Sequence, residues 1–437
     1  MSPYNNQLDS YPPSKNRLLV IDWASLSYHQ LFALSSKSRK TSYFEMDTPE
    51  KELYAWNTNM VSRLLKYIQI FNPKDIVLTL EGNDVWRNDF CKEYYEKHCT
   101  VYYDKTGYYV RFDNFLYHFF KDGDKIGHKK LDVVKDLDGI PEKSKKLKDL
   151  PDRIQKILWD TVLPKYKGQR AKQTYWPFLT PKSTWKKYKE SFTQNISKAF
   201  RVHVIGQNDA EGDDVIYVAV NYWKKKYDSI ILITGDSDMH QLLTQDNLEI
   251  LDHKKGEMVE CPYPKDVLEI KVLSGDKSDN INGMALPNKK TQLGAAGARK
   301  LFETEGNIYQ KAIDEDWGHQ YIRNQKMIDL TNIPTHIQRE LCKQLDESKP
   351  VFGSLIESRS INVTEKIYKE IEKTKNLGYY ALNSLKAVEE NPELFDESLF
   401  TNKEEEDTID TVAPVRKFED VGKVFDDPLS EEEVDVF

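Results

Sequence analysis

Arg17-Leu18-Leu19-Val20-Ile21-Asp22 and Ser229-Ile230-Ile231-Leu232-Ile233-Thr234, the second followed by Gly235-Asp236-Ser237-Asp238, decide how this chain folds. Both are unbroken apolar runs rich in β-branched residues, and both stop at or just before a carboxylate. A strand with one wet face alternates apolar and polar residues, whereas a continuous run fits a strand buried on both faces of a parallel sheet. Residues 75–80 (DIVLTL), ending in Glu81, form a third such run, and residues 201–205 (RVHVI) a weaker fourth. Between them, residues 60–71 place Leu64, Leu65, Ile68 and Phe71 at helical spacing, and residues 213–223 do the same with Val215, Ile216, Val218 and Ala219. Strands separated by helices predict an α/β fold with a central, mostly parallel sheet flanked by helices. Ligands of such sheets bind beyond the carboxyl ends of the strands, where three strands here carry an acid.

Outward from these runs, residues 91–200 are rich in Tyr, Lys and Trp and poor in strand signal, and read as an excursion from the sheet. After Ser274 the pattern turns helical, around 297–303, 334–346 and 363–375, which predicts a smaller C-terminal α-helical domain. Beyond Glu389 apolar residues thin out and Glu404-Glu405-Glu406-Asp407 appears, the composition of a disordered arm. The expected organisation is a flexible 1–16, a core 17–273 containing the excursion 91–200, a helical domain 274–388 and an acidic tail 389–437.

At 437 residues, 39% hydrophobic and 31% charged, the chain can bury a sizeable core and is not wholly disordered. No apolar run approaches the ~18 residues that span a bilayer, and Met1 to Asn16 lacks the basic and apolar regions of a secretory signal, which predicts a cytoplasmic protein without membrane contact. Four scattered cysteines, Cys91, Cys99, Cys261 and Cys342, do not form a disulfide framework, and Cys91, His98 and Cys99 lack the second ligand pair of a zinc finger. The net charge of -8 belongs to the tail, since residues 401–437 hold 13 acidic and 4 basic residues. Residues 141–200 hold 15 Lys/Arg against 5 Asp/Glu, interleaved with Trp159, Tyr166, Tyr175, Trp176, Trp185 and Tyr188. Cations among aromatics suit phosphates and unstacked bases, and a solvated Lys-rich helical surface fits the same composition.

The strongest chemical signal is the run of acids at strand ends and helix starts: Asp22, Glu81, Glu211, Asp213, Asp214, Asp236, Asp238, Asp276 and Asp279. Glu211 and Asp214, three apart, share a helix face, and Asp236 and Asp238 point the same way if extended. Converging carboxylates repel one another unless a cation neutralises them. Oxygen-only ligation without His or Cys favours Mg²⁺, with Mn²⁺ as substitute, over Zn²⁺, and two such ions can serve phosphodiester hydrolysis. Taken singly, each acid also reads as a helix cap, a turn or a surface loop.

In chain order, VIDW with Asp22, LEG with Glu81, AEGDD with Glu211, Asp213 and Asp214, TGDSD with Asp236 and Asp238, and SGDKSDN with Asp276 and Asp279 resemble the flap endonuclease and 5′-3′ exonuclease family, and most strongly its bacteriophage ribonuclease H branch. The resemblance implies a nuclease core of the PIN-like 5′-nuclease kind and removal of nucleotides from 5′ ends and flaps of DNA or RNA·DNA in phage-type replication or repair. It implies that Asp22, Glu81, Asp213 and Asp236 hold a first metal ion with Glu211 close by, and that Asp238, Asp276 and Asp279 hold a second, with Asp214 a less direct ligand. Glu81 stands where the family has Asp and reaches one methylene farther.

The same resemblance gives Arg87, Lys167 and Arg170 the role of orienting the scissile phosphate, supported by Lys165 and Lys172, with about 75 residues inserted between the Arg87 and Lys167 blocks and the stretch to Phe200 as the arch over the site. It likens Leu293 to Lys300 to a helix-turn-helix-like element that offers Gly294, Gly297, Arg299 and Lys300 to a duplex phosphate. The tail, ending in Val434, Val436 and Phe437, resembles a docking peptide for a sliding clamp or single-strand-binding protein on a monomeric enzyme. A catalytically silent structure-specific DNA-binding protein and a PIN-like ribonuclease are the competing readings.

Overall fold

In the computed structural model, the residues described are 16–35, 47–113, 115–122, 125–131, 143–168, 176–286, 291–304, 308–315 and 317–350, with a few between 361 and 371. The strands are β1 (Arg17–Asp22), β2 (Asp75–Thr79), β3 (Thr100–Tyr103), β4 (Gly107–Phe112), β5 (Phe115–Asp122), β6 (Lys125–Leu131), β7 (Ser144–Lys145), β8 (His203–Ile205), β9 (Ser229–Thr234), β10 (Leu248–Asp252) and β11 (Glu257–Met258). The α-helices are α1 (Trp23–Ser35), α2 (Pro49–Phe71), α3 (Trp86–His98), α4 (Asp152–Ile157), α5 (Lys182–Ala199), α6 (Gly212–Trp223), α7 (Pro264–Ser274), α8 (Ala295–Thr304), α9 (Ile308–Asp314), α10 (Gly318–Ile328) and α11 (Thr335–Glu347).

The main sheet runs β11-β10-β9-β1-β2-β8, parallel throughout except for the antiparallel β11 at its edge. Every residue of β1 is buried, as its unbroken apolar run requires. Leu19, Ile21, Ile76, Leu78, Ile231 and Ile233 face α1, α2 and α5, while Leu18, Val20, Val77, Ile230 and Leu232 face α6 and α11. The long α2 starts at a Thr48 cap, whose side chain accepts from Lys51 N at 3.3 Å, with Pro49 in its first turn, and ends where Asn72 turns left-handed at φ 41°.

The inserted stretch is not poor in strands. Strands β3 to β7 form a second, antiparallel sheet in the order β6-β5-β4-β3-β7. Tyr and Phe are good strand formers, and alternation places Val101, Val110, Phe112 and Phe119 on one buried face. The many Lys and Tyr residues between them conceal that alternation in composition.

One apolar core has members on both sides of residue 273. The core under the second sheet takes in Tyr95, Val101 and Leu158 from the insertion together with Leu273, Ala298, Trp317 and Ile328. A fully buried Arg323 ties the two parts, donating through Nη1 to Asp113 Oδ2 at 2.7 Å and through Nη2 to the Asn282 carbonyl at 3.2 Å. Helices α8 to α10 therefore pack with the insertion, and α11 packs on α6 at the main sheet.

Candidate active site

Parallel order brings the ends of β1, β2 and β9 side by side, with Asp22 opposite Thr79. Asp22 is held from three sides. Ser25 N, in the first turn of α1, donates to its Oδ1 at 3.0 Å, Thr234 Oγ1 donates to its Oδ2 at 2.9 Å, and Thr79 Oγ1 fixes the Ile21 carbonyl at 3.1 Å. Asp22 thus caps a helix and faces the other acids at once, so both readings of it apply.

Burial, together with the charges of Asp236 and Glu81, pushes the Asp22 carboxyl up to about 6 against its two hydrogen bonds. Burial also raises Asp213 well above its usual range, with Asp236, Glu211 and Asp22 adding repulsion that the opposing Lys167 only partly offsets. Asp236 sits where the chain leaves β9, its N donating to Thr234 Oγ1 at 3.1 Å and its Oδ1 accepting from Asp238 N at 2.9 Å. Glu81 is exposed beyond β2. Its place is set by Gly82, where a Cβ would collide with the Asn208 carbonyl oxygen. Among the described residues, no ion pair within 4 Å reaches Asp22, Glu81, Asp213 or Asp236.

The remaining acids are met by side chains of the protein. Glu211 accepts from Lys167 Nζ, from Arg87 Nη1 at 2.9 Å and from the Tyr166 hydroxyl at 2.5 Å. Although burial pushes Glu211 up, Lys167 and Arg87 outweigh it and hold the carboxyl below its usual range. The Tyr166 hydroxyl also lies 2.9 Å from Asp279 Oδ2, so its one proton is shared between the two carboxylates. Lys271, in the last turn of α7, pairs with both Asp238 and Asp276, the latter at 3.1 Å. Asp276 closes its own loop by accepting from Ser278 N at 2.8 Å and Ser278 Oγ at 2.6 Å. Burial raises Asp276, yet Lys271 and Ser278 bring it below its ordinary value.

Two expected residues take other positions. Arg87 is 2% exposed, donating through Nε to the Met327 carbonyl at 2.8 Å and through Nη1 to Glu211 and Asp214. Asp214 is 0% exposed, accepts from Trp86 Nε1 at 3.0 Å and completes the Glu211 capping box at the start of α6. Arg87 pairs with Asp214 and Glu211 and also lines the small cavity formed with Tyr166, Asp213, Asp238 and Asp279, while Asp214 is turned to Arg87 and Trp86. The physical reason is helical phase: Asp214 lies one residue from Asp213, about 100° around α6, and turns inward.

Lys165 is solvent-facing and pairs with Asp160 at 2.9 Å. Gly294, Arg299 and Lys300 are exposed and Gly297 partly so at the start of α8, which packs on α7. Arg170, Lys172, Val434, Val436 and Phe437 lie outside the described residues.

Sequence reasoning missed Lys189 on α5, whose ammonium lies 5.5 Å from the rings of Tyr28 and Trp185. Burial lowers its pKa, while the charges of Glu81, Glu190 and Asp22 pull it back. It also missed Tyr166 and Lys271 as bridges between acids. Nothing in the local sequence marks these lysines out from the other surface lysines, and only Tyr166, next to Lys167, lay in a block already singled out.

The carboxylates fit divalent cations by donor chemistry, being all oxygen and including two whose pKa values are raised by mutual repulsion and burial. Among the described residues, no three His, Cys, Asp or Glu side chains are drawn together tightly enough to grip an ion as they stand. Mutually repelling carboxylates are expected to stand apart until a cation draws them in. A small cavity lined by Tyr166, Asp213, Asp238 and Asp279 opens between the two groups of acids.

Residues 147–271 match the family described as 5′-3′ exonuclease, N-terminal resolvase-like domain. The 5′-3′ exonuclease of Buchnera aphidicola subsp. Schizaphis graminum is 27% identical over 174 residues, covering 38% of this chain and 56% of its own length. DNA polymerase I of Caldicellulosiruptor bescii is 33% identical over 130 residues, covering 27% of this chain and 15% of its own. The chain thus spans about half of the first relative and a small part of the second. Among solved structures, zinc-bound T5 5′-exonuclease shares 15% identity at a TM-score of 0.45, covering 76% of this chain and 98% of that one. A bacteriophage T5 flap endonuclease in a pseudo-enzyme-product complex with DNA and metal ions shares 13% at 0.44, covering 83% and 100%. The family match agrees with the resemblance carried by the acidic blocks to the flap endonuclease and 5′-3′ exonuclease family.

Proposed function

We propose that this chain is a divalent-metal-dependent 5′ nuclease that hydrolyses phosphodiesters at 5′ ends and flaps of DNA or RNA·DNA, with Mg²⁺ as its ion. The observation that carries this reading is the group Asp22, Glu81, Asp213 and Asp236 at the ends of parallel strands and the start of α6, two of them with raised pKa values and none ion-paired with a cation among the described residues. These four would hold one ion, and Asp238, Asp276 and Asp279 with Glu211 would hold a second. When bound, such ions supply Lewis-acid charge to a phosphodiester and to water.

The chain's own residues do the rest. Ser25 and Thr234 fix the orientation of Asp22. Tyr166 sets Glu211 against Asp279. Lys167 and Lys189, both partly buried cations, orient the scissile phosphate, while Arg87 acts behind them by positioning Glu211. The exposed start of α8, with Gly294, Gly297, Arg299 and Lys300, receives a duplex phosphate on its free N–H groups. Val434, Val436 and Phe437 dock a sliding clamp or single-strand-binding protein, which deletion of residues 430–437 tests by affinity.

The deciding experiment is cleavage of a 5′-labelled flap duplex and of an RNA·DNA hybrid, with Mg²⁺ or with EDTA, by the wild type and Asp236→Ala. Metal-dependent cleavage that the variant loses supports the reading, and the two substrates rank flap cutting against primer removal. Tight flap binding without cleavage in Mg²⁺ or Mn²⁺ overturns it in favour of a binding protein.

A further inference from the structure

The second sheet has an inner face that buries Val101, Val110, Phe112 and Phe119, and an outer face whose composition is unusual for one turned to water. Pairing registers place Tyr102, Tyr109, His118 and Lys129 directly opposite one another, one row across four neighbouring strands. The next row holds Phe120 opposite Gly127, and Arg111 lies one row to the other side. The four aromatic residues and Arg111 are half-buried and Lys129 is exposed. A solvated outer face ordinarily carries Thr, Lys and Glu at such positions, because rings there gain little from a core they do not reach.

The rings are already arranged as a stack. Tyr109 and His118 lie parallel, 6° apart in plane with centroids 4.2 Å apart, and the His118 ring also meets that of Phe120 at 5.4 Å. Phe120 is laid over Gly127, where a Cβ would sit 2.7 Å from its ring, and stays half-exposed. Leu116, directly opposite Arg111, is buried, so in that row the face is open only at its polar members. Aromatic faces flanked by cations on an antiparallel sheet are what single-stranded nucleic acids use, each base stacking on a ring while Lys and Arg meet the phosphates.

From this geometry we propose that the outer face of the second sheet binds single-stranded nucleic acid, with Tyr102, Tyr109, His118 and Phe120 taking bases and Arg111 and Lys129 taking phosphates. The site is separate from the acids. It rests on the nuclease reading only in naming the strand, which is the single-stranded arm of the substrate. Cross-strand aromatic pairing would stabilise the sheet whether or not it binds anything, so the test separates stability from affinity.

Fluorescence anisotropy of the full chain in EDTA, with a labelled oligothymidylate and separately a blunt duplex, reads binding without cleavage. The doubly substituted Tyr109→Ala/Phe120→Ala chain should bind the single strand about ten- to a hundred-fold more weakly with duplex affinity unchanged, and Lys129→Glu should weaken it and flatten its salt dependence. Circular dichroism and a melting curve establish that each variant is folded. Should the double variant lose the sheet, Tyr109→Trp keeps a ring in place, and its emission should be quenched by the oligothymidylate. Unchanged single-strand affinity in the folded variants, or an unquenched Tyr109→Trp, overturns the proposal. Asp236→Ala should abolish cleavage and keep single-strand affinity, so failure of the nuclease reading and failure of this one give different results.

Discussion

Replacing Arg87 by leucine distinguishes a buried strut from a phosphate contact. In the structure Arg87 donates to the Met327 carbonyl, Glu211 and Asp214 at 2.8, 2.9 and 2.9 Å. Its guanidinium lies 4.5 Å from the Trp86 ring. Burial disfavours its charge, but Asp214, Tyr166 and Glu211 outweigh burial and raise its pKa, so it is ionised at any working pH. Leucine keeps most of the volume and strips the cation from two carboxylates that are 2% and 0% exposed. Removing one partner of a buried pair costs about 3–5 kcal/mol, because the other charge remains buried and unpaired.

The assay is urea unfolding at pH 7, followed by far-ultraviolet circular dichroism, for the wild type, Arg87→Leu, Asp214→Asn and the double variant. Arg87→Leu should lose stability in that range. With Asp214→Asn added, the loss should fall short of the sum of the two single losses by about 0.5–3 kcal/mol, the coupling expected between residues in contact. An Arg87→Leu chain within about 0.5 kcal/mol of the wild type, the range of an ordinary surface change, yet cleaving far more slowly, would refute the strut and restore a phosphate-facing Arg87.

Asp75, the first residue of β2 and thus at the end of the main sheet opposite Asp22, gives a pH prediction remote from the site. Burial raises its carboxyl, but His203, Tyr227 and Arg201 outweigh burial and hold it at about 2. The folded pKa lies below the unfolded value, so the stabilisation is complete above about pH 4 and is lost as pH falls through about 2. A depression of this size corresponds to about 2 kcal/mol at pH 7. Asp75→Asn should therefore be destabilised relative to wild type at pH 7 and show a markedly smaller deficit in urea titrations at pH 3. Divalent ion should raise the melting temperature of the wild type by relieving repulsion between Asp22, Asp213 and Asp236, and Asp213→Asn should melt higher without ion and respond less to it, as differential scanning fluorimetry would read. Gly82→Ala should cost about 1–3 kcal/mol by overpacking against the Asn208 backbone, and should weaken ion binding in calorimetry because Glu81 must move with it.

Much of the architecture is legible in the chain. The runs at 17–22, 75–79 and 229–234 could be read because a strand buried on both faces permits no polar interruption, and a parallel sheet dictates that their acidic ends lie together. The second sheet was equally present, in the alternation of Val101, Val110, Phe112 and Phe119, and was lost among the lysines and tyrosines of the same strands.

What the sequence by itself determined is the parallel core and the identity of the acids, because strand periodicity and carboxylate chemistry are local properties. Only the tertiary structure decided which charges meet. Arg87 and Lys167 look alike as cations flanking an insertion, yet packing buries one between Glu211 and Asp214 and leaves the other reaching over the acids. Asp213 and Asp214 are neighbours of the same type, yet the turn of α6 sends them to opposite tasks. Lys271 meets Asp238, and Lys189 meets the Tyr28 ring, across sequence separations that no local pattern encodes. Coulomb interactions and burial depend on distance in space, and the fold alone sets that distance.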